Sequence, residues 1–148
     1  MRFALSADSL DGVAPTIEGA LRQRGHEIIA RHGALDPAAR DDWAWASEAA
    51  ARDVAEGRAD QAVVACWTGT GASIAANKIP GIRAALCADA ATAAGARRWN
   101  DANVLALSLR TLSAPLLAEL LDAWLGAAPS SAAEDRANVA HLTDIERG

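Results

Sequence analysis

Apolar and polar positions along the chain alternate between short β-like runs and segments of helical period, the pattern of a parallel α/β sheet. Arg2–Ala7 (RFALSA) reads as a first strand, and Ala14–Arg24 as a helix that Gly25 ends. His26–Arg31 (HEIIAR) is a second strand. A polar loop over Gly33–Asp42, holding Pro37, precedes a helix over Trp43–Glu56. On that helix Trp43, Ala46, Ala50 and Val54 share one face at helical spacing. Gln61–Ala65 (QAVVA), apolar after its first residue, is a third strand suited to the centre of the sheet.

A glycine-bearing turn, Cys66–Gly71, then leads into a helix over Ala72–Lys78 that Pro80–Gly81 breaks. Arg83–Cys87 and Ala102–Leu107 read as the fourth and fifth strands, with a helix over Ala90–Arg98 between them. Ser113 is a helix N-cap with Pro115 in the first turn. Its helix gathers Leu116, Leu117, Leu120, Leu121 and Trp124 on one face and stops at Gly126. Pro129–Ser131 is a linker, and Val139, Leu142 and Ile145 mark a weakly amphipathic last helix. The expected architecture is one α/β domain over residues 1–148. It is a five-stranded parallel, Rossmann-like sheet in the common order 2-1-3-4-5, with helices on both faces. The segment 129–148 is expected to pack against a partner subunit.

Composition sharpens that last expectation. Hydrophobic residues make up 51% of the chain, but 39 are alanine and only 37 are larger. At roughly 25 cal/mol per Å² of buried apolar surface, alanines contribute little, so the core is thin for its length. Such a chain gains by burying more surface against another copy of itself.

Charge and cysteine content remove several classes. Two cysteines, Cys66 and Cys87, cannot build a disulfide framework. The N-terminus MRFALSADSLDG lacks the apolar region of a signal peptide, and no run approaches the roughly 18 apolar residues of a membrane span. Net charge is −5 and no basic stripe exists for nucleic acid. The expectation is a cytoplasmic domain that binds neither nucleic acid nor membrane.

In open α/β sheets ligands bind beyond the carboxyl ends of strands, where the strand order reverses. That crevice falls between the first and third strands, which Asp8 and Cys66 follow. The turn Cys66-Trp67-Thr68-Gly69-Thr70-Gly71 feeds a helix whose first N–H groups favour an anion or a thiolate. A phosphatase loop would need arginine where Ala72 stands, and a Walker loop would need Gly-Lys-Ser/Thr where Gly71-Ala72-Ser73 stands. A dinucleotide fingerprint would want a small residue at Ile74. His26, His32 and His141 have no metal-ligand spacing, so neither metal nor cofactor is expected. Alone, a cysteine in such a setting is more often a small buried hydrophobe than a catalyst.

The surrounding run changes that. V-V-A-C-x-T-G-T-G-A-S-I-A-A-N-K-I-P-G-I-R-A-A-L-C, Val63 to Cys87, and W-N-D-A-N-V-L-A-L, Trp99 to Leu107, resemble the type B ribose-5-phosphate isomerase and galactose-6-phosphate isomerase family. The resemblance covers nearly the whole chain. It implies an aldose–ketose isomerase that moves a carbonyl between C1 and C2 through an enediolate, with a cysteine base. It also implies a homodimer, with a tetramer as the alternative, whose sites lie between subunits and take a sugar or sugar phosphate. By resemblance Cys66 is the base, Thr68 assists at the sugar hydroxyls, and Gly69, Thr70 and Gly71 form the oxyanion turn. Asp8, Asn100 and Arg110 match substrate-contacting positions.

The chain departs from the family at one part of the mechanism. Ser9 and Trp99 stand where the family has histidines, the second being the ring-opening residue, and Trp67 stands for a glycine. Glu134 and Asn138 occupy the positions of two C-terminal arginines, with Arg136 between them. These changes point to an acyclic or short-chain substrate, with Trp67 and Trp99 walling a smaller pocket. Any phosphate would be held by Arg110 and Arg136. The alternative is a catalytically silent relative that binds a small ligand or pairs with an active isomerase subunit.

Overall fold

The structure, a computed structural model, describes all 148 residues. Five parallel strands form one sheet: β1 (Arg2–Ala7), β2 (Glu27–Gly33), β3 (Gln61–Cys66), β4 (Ala84–Leu86) and β5 (Val104–Ser108). Six helices flank it: α1 (Ile17–Gln23), α2 (Trp43–Ala55), α3 (Thr70–Ala76), α4 (Ala90–Asn100), α5 (Ala114–Gly126) and α6 (Ala133–Arg147). No helix is long and apolar enough to cross a membrane.

The strand order is β2-β1-β3-β5-β4, so the expected 2-1-3-4-5 is corrected at one edge. The reason lies in the two strands themselves. All five residues of β5 (VLALS) are buried, as a strand flanked on both sides requires. β4 has three residues, half-buried or exposed, and suits an edge. The reversal between β1 and β3 survives the exchange. The exchange also sets Ser108 beside Cys66 across the β3–β5 ladder.

Side chains alternate between the two faces of the sheet, and the layers differ in composition. On one face Phe3, Leu5, Val63, Leu105 and Leu107 meet the bulky residues of α1 and α5 and two alanines of α4. Trp124 ends that layer, its indole N–H donating to Gln61 Oε1 at 2.7 Å in the interior. On the other face eight of thirteen core residues are alanines, and α2 and α3 ride close to the strands. Cys66 belongs to this alanine-rich layer.

Local differences from the sequence reading have local causes. The Ala14–Arg24 helix divides into a 3-10 turn at Ala14–Thr16, where the N–H and hydroxyl of Thr16 both donate to the Val13 carbonyl, and then α1. Leu116 is exposed at 40%, because its direction on α5 lies away from the stripe of Leu117, Leu120, Leu121 and Trp124. Trp43 is also exposed, at 46%, as the first residue of α2 rather than part of its inner face. Ser113 caps α5 as expected, its side chain accepting from the Leu116 N–H. α6 buries none of its residues and is tethered by the Gly81 N–H, which donates to Glu146 Oε1 at 2.8 Å.

Candidate functional site

β3 ends at Cys66, and the chain turns sharply before α3. Gly69 makes that turn in the left-handed region, at φ 75°. A side chain there would stand 2.5 Å from Leu86 Cδ1 and 2.8 Å from the Leu107 carbonyl carbon. Only glycine lets the turn lie this close to β5. The outgoing helix then aims its amides back at the strand end. The Ala72 N–H donates to Cys66 Sγ at 3.4 Å, the contact that a thiolate accepts.

β1 delivers Asp8 to the same place. Its N–H donates to the Ala65 carbonyl at 3.2 Å, continuing the β1–β3 ladder by one rung. One carboxyl oxygen, Oδ1, is buried without a hydrogen-bond partner. Burial pushes the Asp8 carboxyl above its usual range, and the negative charges of Asp11 and Asp41 add to this, while the backbone amides of Asp8 and Trp67 oppose it. The hydroxyls of Ser6 and Ser47 are buried and unpartnered as well, but of the three residues only Asp8 lines the crevice.

A cavity of about 310 Å³ joins these groups: Asp8, Trp43, Cys66, Trp67, Thr68, Thr70 and Gly71 line it. The hydroxyls of Thr68 and Thr70 lie 2.8 Å apart. Trp67 is 53% exposed at the rim. Its carbonyl is fixed from β5, accepting from Ser108 Oγ at 3.1 Å and from the Arg110 N–H at 2.9 Å. Arg110 therefore follows β5 directly beside the cavity, although its side chain does not line it. That guanidinium is exposed and makes no ion pair.

The remaining candidates stand elsewhere. Ser9 faces Asp11, donating to Oδ2 at 2.9 Å, and does not line the cavity. Trp99, 55% exposed, folds over Gly95 of its own helix and lines a hollow of about 330 Å³ with Arg98, Ser130 and Arg136. Asn100, the last residue of α4, lines neighbouring hollows toward β4. Within one chain, then, the candidates form two groups. One surrounds Cys66 and the other gathers at the end of α4 and on α6.

Trp43, which the sequence reading placed on one helix face with Ala46, Ala50 and Val54, is a cavity-lining residue absent from the sequence-derived candidates. The available signal was its place at the start of the helix after β2, where an α/β sheet turns its ligand crevice outward. No three His, Cys, Asp or Glu side chains are arranged to hold a metal ion. The second cysteine is a different environment. Burial pushes the Cys87 thiol up to about 11, with Asp89 adding to the effect, so it stays protonated near neutrality.

The Cys66 thiol facing a helix amide, the Asp8 carboxyl and two threonine hydroxyls thus meet at the reversal of a doubly wound α/β sheet, the place where such folds bind small ligands. The chain belongs to the Ribose/Galactose Isomerase family, whose model matches residues 12–142. By that membership it is an isomerase. It is 40% identical over 111 residues to ribose-5-phosphate isomerase B of Escherichia coli, a match covering 69% of this chain and 74% of that one. It is 42% identical over 77 residues to D-erythrulose-4-phosphate isomerase of Pectobacterium atrosepticum, covering 52% of this chain and 51% of that protein. The solved ribose-5-phosphate isomerase B of Clostridium thermocellum superposes with a TM-score of 0.86 at 33% identity, covering 99% of this chain and 98% of that one.

Proposed function

We propose that this chain interconverts an aldose and a ketose through an enediolate, with Cys66 as the base, on a short acyclic sugar carrying a terminal anion. In the aldose-to-ketose direction the Cys66 thiolate takes the proton from C2, and the electron pair forms the C1–C2 double bond of the enediolate. The carbonyl oxygen becomes the oxyanion, and the amides of the Gly69–Gly71 turn offset its charge. Cys66 then returns the proton at C1. The proton that must pass between the two oxygens lies within the province of Thr68 and Asp8. The unpartnered oxygen of Asp8 receives a substrate hydroxyl.

The observation that carries the short-chain reading is Trp99, which stands where the family has its ring-opening histidine, together with a Cys66 cavity that no histidine of the same chain lines. His26 sits beside the terminal amine, His32 is bonded to Asp53 at 2.6 Å, and His141 is exposed on α6. A cyclic sugar phosphate needs a proton donor to open its ring. A four-carbon sugar phosphorylated at its last carbon has no free hydroxyl from which to close a furanose, so it needs none. The likeness to a D-erythrulose-4-phosphate isomerase supports the same size of substrate.

Completion of the site by a second copy accounts for the two separated groups of candidates. Trp99, Asn100 and Arg136 would reach a partner's Cys66 cavity, with the uncovered apolar side of α6 in the interface. Arg110 and Arg136, both without an ion pair, are the charges for a phosphate. The test is solvent deuterium incorporation into D-erythrulose 4-phosphate and ribose 5-phosphate. Exchange on the four-carbon compound, lost in Cys66→Ser, is expected. Efficient turnover of ribose 5-phosphate overturns the short-chain reading, and activity only on mixing with another family member favours a paired-subunit role.

A further inference from the structure

Trp43 stands between two hollows. A methyl group built on Gly71 would lie 2.9 Å from Cε3, 3.0 Å from Cδ2 and 3.3 Å from Cζ3 of its indole. Three adjacent atoms of the six-membered ring therefore cover the Gly71 α-carbon. Trp43 is the first residue of α2, where the Ala46 N–H donates to the Asp42 carbonyl at 3.0 Å. On one side the indole lines the cavity of about 310 Å³ that holds Cys66 and Asp8. On the other it lines a hollow of about 460 Å³ with Glu48, Arg52, Ile74 and Lys78.

We infer that Trp43 is a length gate, setting how many carbons a substrate extends beyond the carbons reacting at Cys66. This rests on the proposed isomerase reading and adds a determinant of specificity to it. Gly71 and the indole both line the Cys66 cavity, and of that lining the indole alone also borders the second hollow. Without it the two hollows join into one groove, with Lys78, the chain's only lysine, on its far wall. The Lys78 ammonium makes no ion pair, whereas Arg52 is already held by Glu48 at 2.8 Å. A six-carbon acyclic sugar phosphate bound with its tail along this groove, away from Arg110, would then lay its phosphate toward Lys78. Trp43 is half exposed, so shortening it costs little core packing.

Two readouts test the gate, one of them independent of any substrate. The first is calorimetric binding of erythritol 4-phosphate and glucitol 6-phosphate, which cannot react, to the wild type, Trp43→Ala and Trp43→Phe. Trp43→Ala should raise affinity for the six-carbon relative to the four-carbon compound by roughly tenfold, the scale at which pockets discriminate added methylenes. Adding Lys78→Ala should cancel that gain, and Trp43→Phe should keep the wild-type ratio. The second is the rate of Cys66 modification by a bulky maleimide relative to iodoacetamide, located by mass spectrometry. Trp43→Ala should raise that ratio by about tenfold as well. Unchanged ratios in a variant with the wild-type circular dichroism spectrum overturn the gate. If neither polyol phosphate binds the wild type while the alkylation ratio still rises, the gate stands and the sugar-phosphate reading fails.

Discussion

The main-chain N–H of Arg110 donates to the carbonyl of Trp67 at 2.9 Å. It is the last of three bonds that carry the end of β5 to the rim of the Cys66 cavity, after Leu109 N–H to the Cys66 carbonyl and Ser108 Oγ to the Trp67 carbonyl. These bonds exist because β5 lies inside the sheet next to β3. Had β4 taken that place, Arg110 would follow an edge strand, about 5 Å further from β3. Arg110→Ala should therefore leave the fold alone, within about 0.5 kcal/mol, since the side chain is exposed and has no partner. It should lower kcat/KM for D-erythrulose 4-phosphate by about 10- to 100-fold, as the loss of a charge-assisted contact does. Erythrulose without phosphate should be turned over equally by both proteins. Equal losses on the two compounds would show that Arg110 does not serve the anion.

The two cysteines should separate chemically. Both thiols are largely buried, but Cys66 borders a cavity and accepts a helix amide, while Cys87 is pushed up to about 11 by burial and stays protonated. Iodoacetamide at pH 8 should label Cys66 alone, and a sugar phosphate that occupies the cavity should slow that labelling. Cys66→Ser should reduce deuterium exchange by at least about a hundredfold with little change in melting temperature. Labelling of Cys87 at a comparable rate would contradict the environments assigned to the two thiols.

Period and turn chemistry made most of the fold legible. β1 has the bounds that RFALSA indicated, α2 begins at Trp43, and Ser113 caps α5. The exchange of β4 and β5 was not legible, because both are short apolar runs and pattern alone does not order them. What decides is length, three residues against five, and that emerges only when the ladder forms. The Cys66 turn and Asp8 could be placed together because both follow strands that flank the reversal of the sheet. Trp43 could not, because helical spacing only put it on one face with Ala46, Ala50 and Val54. Its exposure arises from the first turn of α2 overhanging Gly71, a tertiary fact. Trp99 and Arg136 show the complementary limit: residue identity marked them, but one chain holds them away from Cys66.

Gly69 should tolerate no side chain. Gly69→Ala places a β-carbon 2.8 Å from the carbonyl carbon and 2.9 Å from the oxygen of Leu107, at φ 75°. Gly57 provides the control, with the same φ of 75° and nothing within 4 Å of the added carbon. Gly57→Ala should cost about 1 kcal/mol from backbone conformation alone. Gly69→Ala should cost at least about 2 kcal/mol in chemical denaturation and should also displace the turn amides. Similar losses in the two variants would mean that the close approach to β5 has no energetic weight.

Acid should weaken the seam between α1 and β2. The Arg31 guanidinium, bonded to Glu18 from Nε at 2.6 Å, holds the Glu18 carboxyl down at about 2, and Arg22 adds a second donor at 2.8 Å. The ordinary value for the group is 4.5. Between those two values the unfolded chain takes up a proton that the folded chain refuses, so protonation favours unfolding. The stabilisation is thus complete above pH 4.5 and is lost as pH falls toward 2. Glu18 is 31% exposed, and solvent screening limits the contribution to about 1 kcal/mol. Melts of the wild type and Glu18→Gln should differ by that amount at pH 7 and converge as the pH approaches 2. A difference that stays constant across this range would assign Glu18 a packing role and no electrostatic one.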